Sequence, residues 1–89
     1  MTTLHLTIQG KVQGVFYRAS AKKTALRLGI TGWVKNTPDK DVEIMAQGSK
    51  EQLLDFVEWC KEGPAGARVD TVKSKRVDDQ HFDEFKILH

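Results

Sequence analysis

Acid is missing from the first 38 residues of this 89-residue chain, which hold no Asp or Glu against six cations: Lys11, Arg18, Lys22, Lys23, Arg27 and Lys35. Residues 39–89 reverse the balance to −4, so the overall charge of +2 conceals two unlike halves. A wholly cationic leading segment favours an anionic partner. Cysteine is nearly absent. Cys60 stands alone, which excludes an intrachain disulfide, leaves stability to packing and fits a reducing, cytoplasmic setting. No apolar run approaches the roughly 20 residues of a membrane span. The opening MTTLHLTIQG lacks the charged start and apolar block of a signal peptide. His5, His81 and His89 are scattered with no i,i+4 pair, so no metal site is expected. Linkers, repeats and low-complexity stretches are missing too, and residues 1–89 are expected to form one domain.

What is present is a regular succession of short elements. Leu4, Leu6 and Ile8 alternate with His5, Thr7 and Gln9, the pattern of a half-buried strand. From about Arg18 to Leu28 the period becomes helical, with Ala21, Ala25 and Leu28 on one face and Lys22, Lys23 and Arg27 on a solvated one. Gly29 ends that helix, and a second strand is expected from about Ile30 to Asn36. TPDKD turns the chain, and Val42, Ile44 and Ala46 alternate along a third strand. Ser49 and Gln52 make a capping box for a second helix that buries Leu53, Phe56, Val57 and Cys60 and stops at Gly63-Pro64. A fourth strand follows around Val69 to Val77. The segment Phe82 to Leu88 extends the sheet or closes an edge. Trp33 and Trp59 read as core anchors, with Trp33 holding the second strand. The order βαββαβ predicts an α+β, ferredoxin-like sandwich: an antiparallel sheet with two helices on one face.

The stretch GKVQGVFYRAS (Gly10 to Ser20) sets up the first helix against the usual rules. A helix N-terminus carries the positive end of the macrodipole and unpaired N–H groups, normally met by Ser, Thr, Asp or Asn and by acids in the first turn. Here Phe16 and Tyr17 lead into Arg18, with no acid near. Gly10 and Gly14 permit a tight turn in which successive N–H groups converge on an anion. The guanidinium beside them offers a planar fork to phosphate oxygens. Such a cradle is not a Walker A loop, because no Gly-Lys-Ser/Thr closes it. Residue chemistry alone leaves two readings open: a phosphate cradle, or an ordinary loop with a surface arginine.

GKVQGVFYR followed by GWVKNTPDKDVEIMAQG (Gly32 to Gly48) closely resembles the two signature regions of the acylphosphatase family, and the resemblance extends over nearly the whole chain. It implies hydrolysis of acyl phosphates, mixed anhydrides of a carboxylic acid and phosphoric acid, without metal or cofactor. By motif position it implies that Arg18 and the loop amides of Gln13, Gly14, Val15, Phe16 and Tyr17 bind the phosphoryl group. Asn36 would hold the attacking water, Thr37 would orient the Asn36 amide, and the terminal carboxylate of His89 would pair with Arg18. Tyr17 departs from the Phe more usual in the family and would add a hydroxyl beside the cradle.

Other chemistries fit poorly. A cysteine phosphatase loop needs five residues between Cys and Arg, whereas seven separate Cys60 from Arg68. Asp39 and Asp41 belong to a hairpin turn rather than following a buried strand, as an aspartyl-phosphate nucleophile would. The alternative of an RNA-binding or non-catalytic phosphate-ligand module requires, for RNA, aromatics on the central strands. DVEIMAQG carries none. The expected protein is a cytoplasmic, monomeric acyl phosphate hydrolase with a small-molecule substrate and no nucleic-acid or membrane partner.

Overall fold

A computed structural model describes all 89 residues. Strand β1 (Thr2–Lys11) leads into helix α1 (Tyr17–Leu28), then β2 (Thr31–Asn36), β3 (Val42–Gly48), helix α2 (Lys50–Glu62), β4 (Arg68–Val77) and β5 (Phe85–Ile87). The strand order across the sheet is β4-β1-β3-β2-β5. The first four strands pair antiparallel, as the sequence predicts. The last does not. β5 lies parallel to β2, making the sheet mixed, because the chain returns across the molecule before its final residues join the edge.

The alternation read from sequence decides which face is covered. Leu6, Ile8, Val34, Val42, Ile44, Ala46 and Phe85 are buried with Tyr17, Ala21 and Ala25 of α1 and Leu53, Phe56 and Cys60 of α2 in one core cluster. Both helices therefore lie on one face. Their ends differ in chemistry. At α2, Ser49 Oγ accepts from the Gln52 N–H while Gln52 Oε1 accepts from the Ser49 N–H, a complete capping box worth about 1 kcal/mol. At α1 the start has no side-chain cap and no acid in its first turn.

Trp59 packs against the core, its ring centroid 5.2 Å from that of Tyr17. Trp33 is not in the core. It alternates with the buried Gly32 and Val34, so its half-exposed ring lies on the opposite sheet face under the Lys35 ammonium, 5.3 Å from the centroid. Period-two patterning places every second residue of a strand on one face, and Val34 had already claimed the inner one.

The acid-free leading segment acquires an acid through strand pairing. Lys35 sits opposite Glu43 across β2 and β3, with Nζ 3.4 Å from Oε1, and His5 Nε2 lies 2.7 Å from Oε2. Burial pushes the Glu43 carboxyl upward, but the hydrogen bonds from His5 and Lys35 outweigh it and hold the group below its ordinary range. A folded-state value below the unfolded one gives stability that is complete above the ordinary carboxylate range and is lost as pH falls through the lowered value. Because the pair is partly exposed, its worth is under about 1 kcal/mol. Urea unfolding should therefore show Glu43→Gln slightly less stable than wild type at neutral pH, with the two curves converging in acid. A gap that persists in strong acid would remove the ionic explanation.

Candidate active site

The loop between β1 and α1 begins at an irregularity. The β1–β4 register shifts between Gln9 and Gly10, where the backbone approaches β4 so closely that a Cβ on Gly10 would collide with the Arg68 carbonyl. The chain then turns through Gly14 at φ 75° and reaches Phe16, the α1 N-cap, in the left-handed conformation with φ 64° and ψ 24°. Gln13 anchors this loop from the side. Its amide nitrogen donates to the carbonyls of Thr37 at 3.0 Å and Asp41 at 2.7 Å, tying the loop to the β2–β3 hairpin. Uncapped N–H groups at the start of α1 are thus held in place beside Arg18.

Gly14, Phe16, Tyr17, Arg18 and Asn36 converge on one cavity of about 300 Å³, with Val12, Ala19, Ile87 and His89 completing its wall. The side chains of Gln13 and Val15 turn away, Gln13 to the hairpin and Val15 toward the core. Asn36 ends β2. Its Oδ1 is buried and has no hydrogen-bond partner, the one buried side-chain polar atom in the molecule in that state. An unmet acceptor of this kind costs about 1–3 kcal/mol.

Three sequence expectations change here. The Thr37 hydroxyl bonds with the Asp41 backbone, accepting from its N–H at 3.2 Å, and does not meet the Asn36 amide; the tight TPDKD turn brings that backbone closer. Arg18 meets the His89 ring and not the terminal carboxylate: Nη1 lies 3.3 Å from Nδ1. Guanidinium has only donors, so Nδ1 is the acceptor and carries no proton in this contact. Arg18 consequently keeps its full charge without a carboxylate partner. The Tyr17 hydroxyl is not beside the cradle. Tyr17 is 1% exposed, and the hydroxyl donates to the Cys60 carbonyl at 2.8 Å. Burial raises the Tyr17 pKa far above its ordinary value, which keeps it neutral.

Cys60 contributes no chemistry. Burial pushes its thiol up to about 12, and the helix faces it into the core. No group of three His, Cys, Asp or Glu side chains comes together anywhere in the protein. Ile87 reaches the site only through the parallel β2–β5 pairing, continued by the Leu88 N–H to the Val34 carbonyl at 2.8 Å. Nothing local in the sequence signals that pairing.

The profile of the acylphosphatase family matches residues 4–87. The chain belongs to the acylphosphatase family. An acylphosphatase from Marinobacter nauticus is 50% identical over 86 residues, covering 96% of this chain and 94% of the relative. The solved acylphosphatase of Coxiella burnetii superposes with a TM-score of 0.95 at 40% identity, over 98% of this chain and 92% of that one. The Bacillus subtilis acylphosphatase gives 0.96 at 31% identity with complete coverage of both chains. The enzyme is an acyl phosphate hydrolase, which separates a carboxylate from inorganic phosphate. No helix is long and apolar enough to cross a membrane.

Proposed function

We propose that hydrolysis takes place in the cavity between the β1–α1 loop and the end of β2, with Arg18 and the loop amides holding the phosphoryl group and Asn36 holding water. The observation that carries this reading is the orphaned Oδ1 of Asn36 in the wall shared with Arg18 and the uncapped helix start. Arg18 supplies a two-donor fork, and the amides of residues 13–17, favoured by the helix dipole, supply further donors. Rotation of the Asn36 amide about its Cβ–Cγ bond turns the oxygen toward a water in the cavity. That water attacks phosphorus, and the bond from phosphorus to the acyl oxygen breaks.

Little acid–base chemistry is required. The leaving group departs as a stable carboxylate, so it needs no proton from the protein. The water proton passes to a phosphate oxygen of the substrate. What the protein supplies is position and charge stabilisation, the main contributions in phosphoryl transfer. Thr37 acts at one remove, fixing the turn that follows Asn36. The acceptor role of the His89 ring orients the Arg18 fork without neutralising it. In this reading residues 1–89 act as one cytoplasmic, monomeric domain that needs no metal. The lone unpaired thiol supports the compartment, and dispersed exposed hydrophobics such as Leu26 and Leu54 support the monomer.

Titration with inorganic phosphate in EDTA, followed through backbone amide resonances, tests the cradle. The amides of residues 13–17 should shift together, with a midpoint equal to the inhibition constant of phosphate against acyl phosphate hydrolysis. Shifts centred instead on Lys11, Lys40 and Arg68, which border a separate cleft, would move the phosphate site away from Arg18.

A further inference from the structure

Phe16 breaks three physical rules at once. It is 82% exposed, whereas Phe56 and Phe85 are completely buried. Its backbone is left-handed, a conformation suited to Gly or Asn and unfavourable for an aromatic residue. It occupies an N-cap position, where Ser, Asp or Asn would accept from the first-turn amides and a phenyl ring accepts nothing. Packing, backbone preference and capping would each select another residue. The ring takes part in none of the aromatic pairs that organise the core. It does line the cavity that holds Arg18 and Asn36.

We propose that the Phe16 ring is the acyl-binding wall of this site and makes the enzyme favour acyl phosphates with an aromatic or bulky apolar acyl group. The inference rests on the placement of the phosphoryl group against Arg18 and the loop amides. With that end fixed, the acyl group must leave the cradle along the remaining wall. That wall is apolar: the Phe16 ring, Ala19, Val12 and Ile87. Arg18 is committed to phosphate, so no free cation in the wall attracts a charged acyl group; the other titratable side chains there are Tyr17, held neutral by burial with its hydroxyl on the Cys60 carbonyl, and the His89 ring that accepts from Arg18. A flat exposed ring held by a rigid loop offers a face to an aryl group, as offset or edge contacts between rings require. Because the exposed ring loses its water only when substrate arrives, the contact belongs to binding and shows mainly in KM.

The test compares benzoyl phosphate with acetyl phosphate in wild type, Phe16→Ala, Phe16→Asn and Phe16→Tyr. The readout is the ratio of the two kcat/KM values, in which any disturbance of the shared loop amides cancels. Wild type should prefer benzoyl phosphate. In Phe16→Ala and Phe16→Asn the ratio should fall about tenfold, carried by KM for benzoyl phosphate, while Phe16→Tyr retains it. Asn suits both the left-handed backbone and the cap, so Phe16→Asn should also melt higher than wild type. A purely structural role would change stability and leave the ratio where it is in wild type. An unchanged ratio in Phe16→Ala, or equal losses on both substrates, would overturn the proposal. Failure of the underlying site is distinguishable: inorganic phosphate would then shift the amides around Lys11, Lys40 and Arg68 and not those of the Arg18 loop, whatever the substrate ratio.

Discussion

Arg18→Ala should lower kcat for benzoyl phosphate by at least about 10²–10³, the loss seen when one preorganised donor to a developing oxyanion is removed. Arg18 supplies more than one donor together with a full charge, so the loss should lie at or beyond the upper end. Inhibition by phosphate should disappear as well, because the same fork binds product. Arg18→Lys should recover only part of the activity, since an ammonium is a point charge and cannot span two oxygens. The stability change should have the opposite sign. Arg18 lies in the first turn of α1, where a cation meets the positive end of the helix dipole with no acid to offset it. Its removal should stabilise the protein by about 0.3–1 kcal/mol. A thermal melt beside the rate assay separates the roles: lost activity with a higher melting temperature marks a functional arginine, whereas a lower melting temperature would make it structural.

Asn36→Ala should abolish measurable turnover while phosphate continues to inhibit or bind with nearly wild-type affinity. Arg18 and Asn36 line one cavity from different elements, so in the proposed mechanism deleting the Asn36 amide leaves the anion donors in place. Oδ1 is buried and unpartnered in the free protein, so its deletion removes a penalty of about 1–3 kcal/mol, partly offset by the lost packing of the side chain. The variant should therefore melt no lower than wild type. Phosphate binding by calorimetry and single-turnover hydrolysis decide the matter. If phosphate affinity falls in parallel with rate, Asn36 binds the phosphoryl group and some other residue must hold the water.

These two expectations and the one for Phe16 come from residues that weaken the fold locally. Arg18 faces a like-signed dipole, Asn36 keeps an unmet acceptor and Phe16 holds a strained backbone. Sites of function are where local rules are broken and the surrounding structure compensates. The compensation is visible on both flanks. Gln13 bolts the loop to the hairpin, Tyr17 anchors the helix start through the Cys60 carbonyl, and the α2 capping box lacks nothing.

Much of this was legible before any tertiary contact was known. Leu6 and Ile8, Val42 and Ile44, and Ala21 and Ala25 all lie inside as their periodicities require. The Gly10–Arg18 loop was marked by an absence, since a helix start without a cap or an acid is recognisable from side-chain types alone. Hydrophobicity alone suggests burial for Trp33, while the strand alternation around Val34 decides its face. Sequence adjacency to Arg18 suggests a Tyr17 hydroxyl beside the cradle, but the rotation of about 100° between successive helical residues turns the Tyr17 hydroxyl into the core and Arg18 to the cavity.

The element order, the buried stripe of each element and the unusual start of α1 follow from period, capping and charge among near neighbours. Tertiary structure alone decided that β5 runs parallel to β2, that His89 offers Arg18 its ring, that Glu43 joins His5 and Lys35, and that Asn36 shares a cavity with Phe16. These pairs lie between 8 and 71 positions apart. Local propensity carries no information over such separations; only the closing of the sheet over one core brings the residues together.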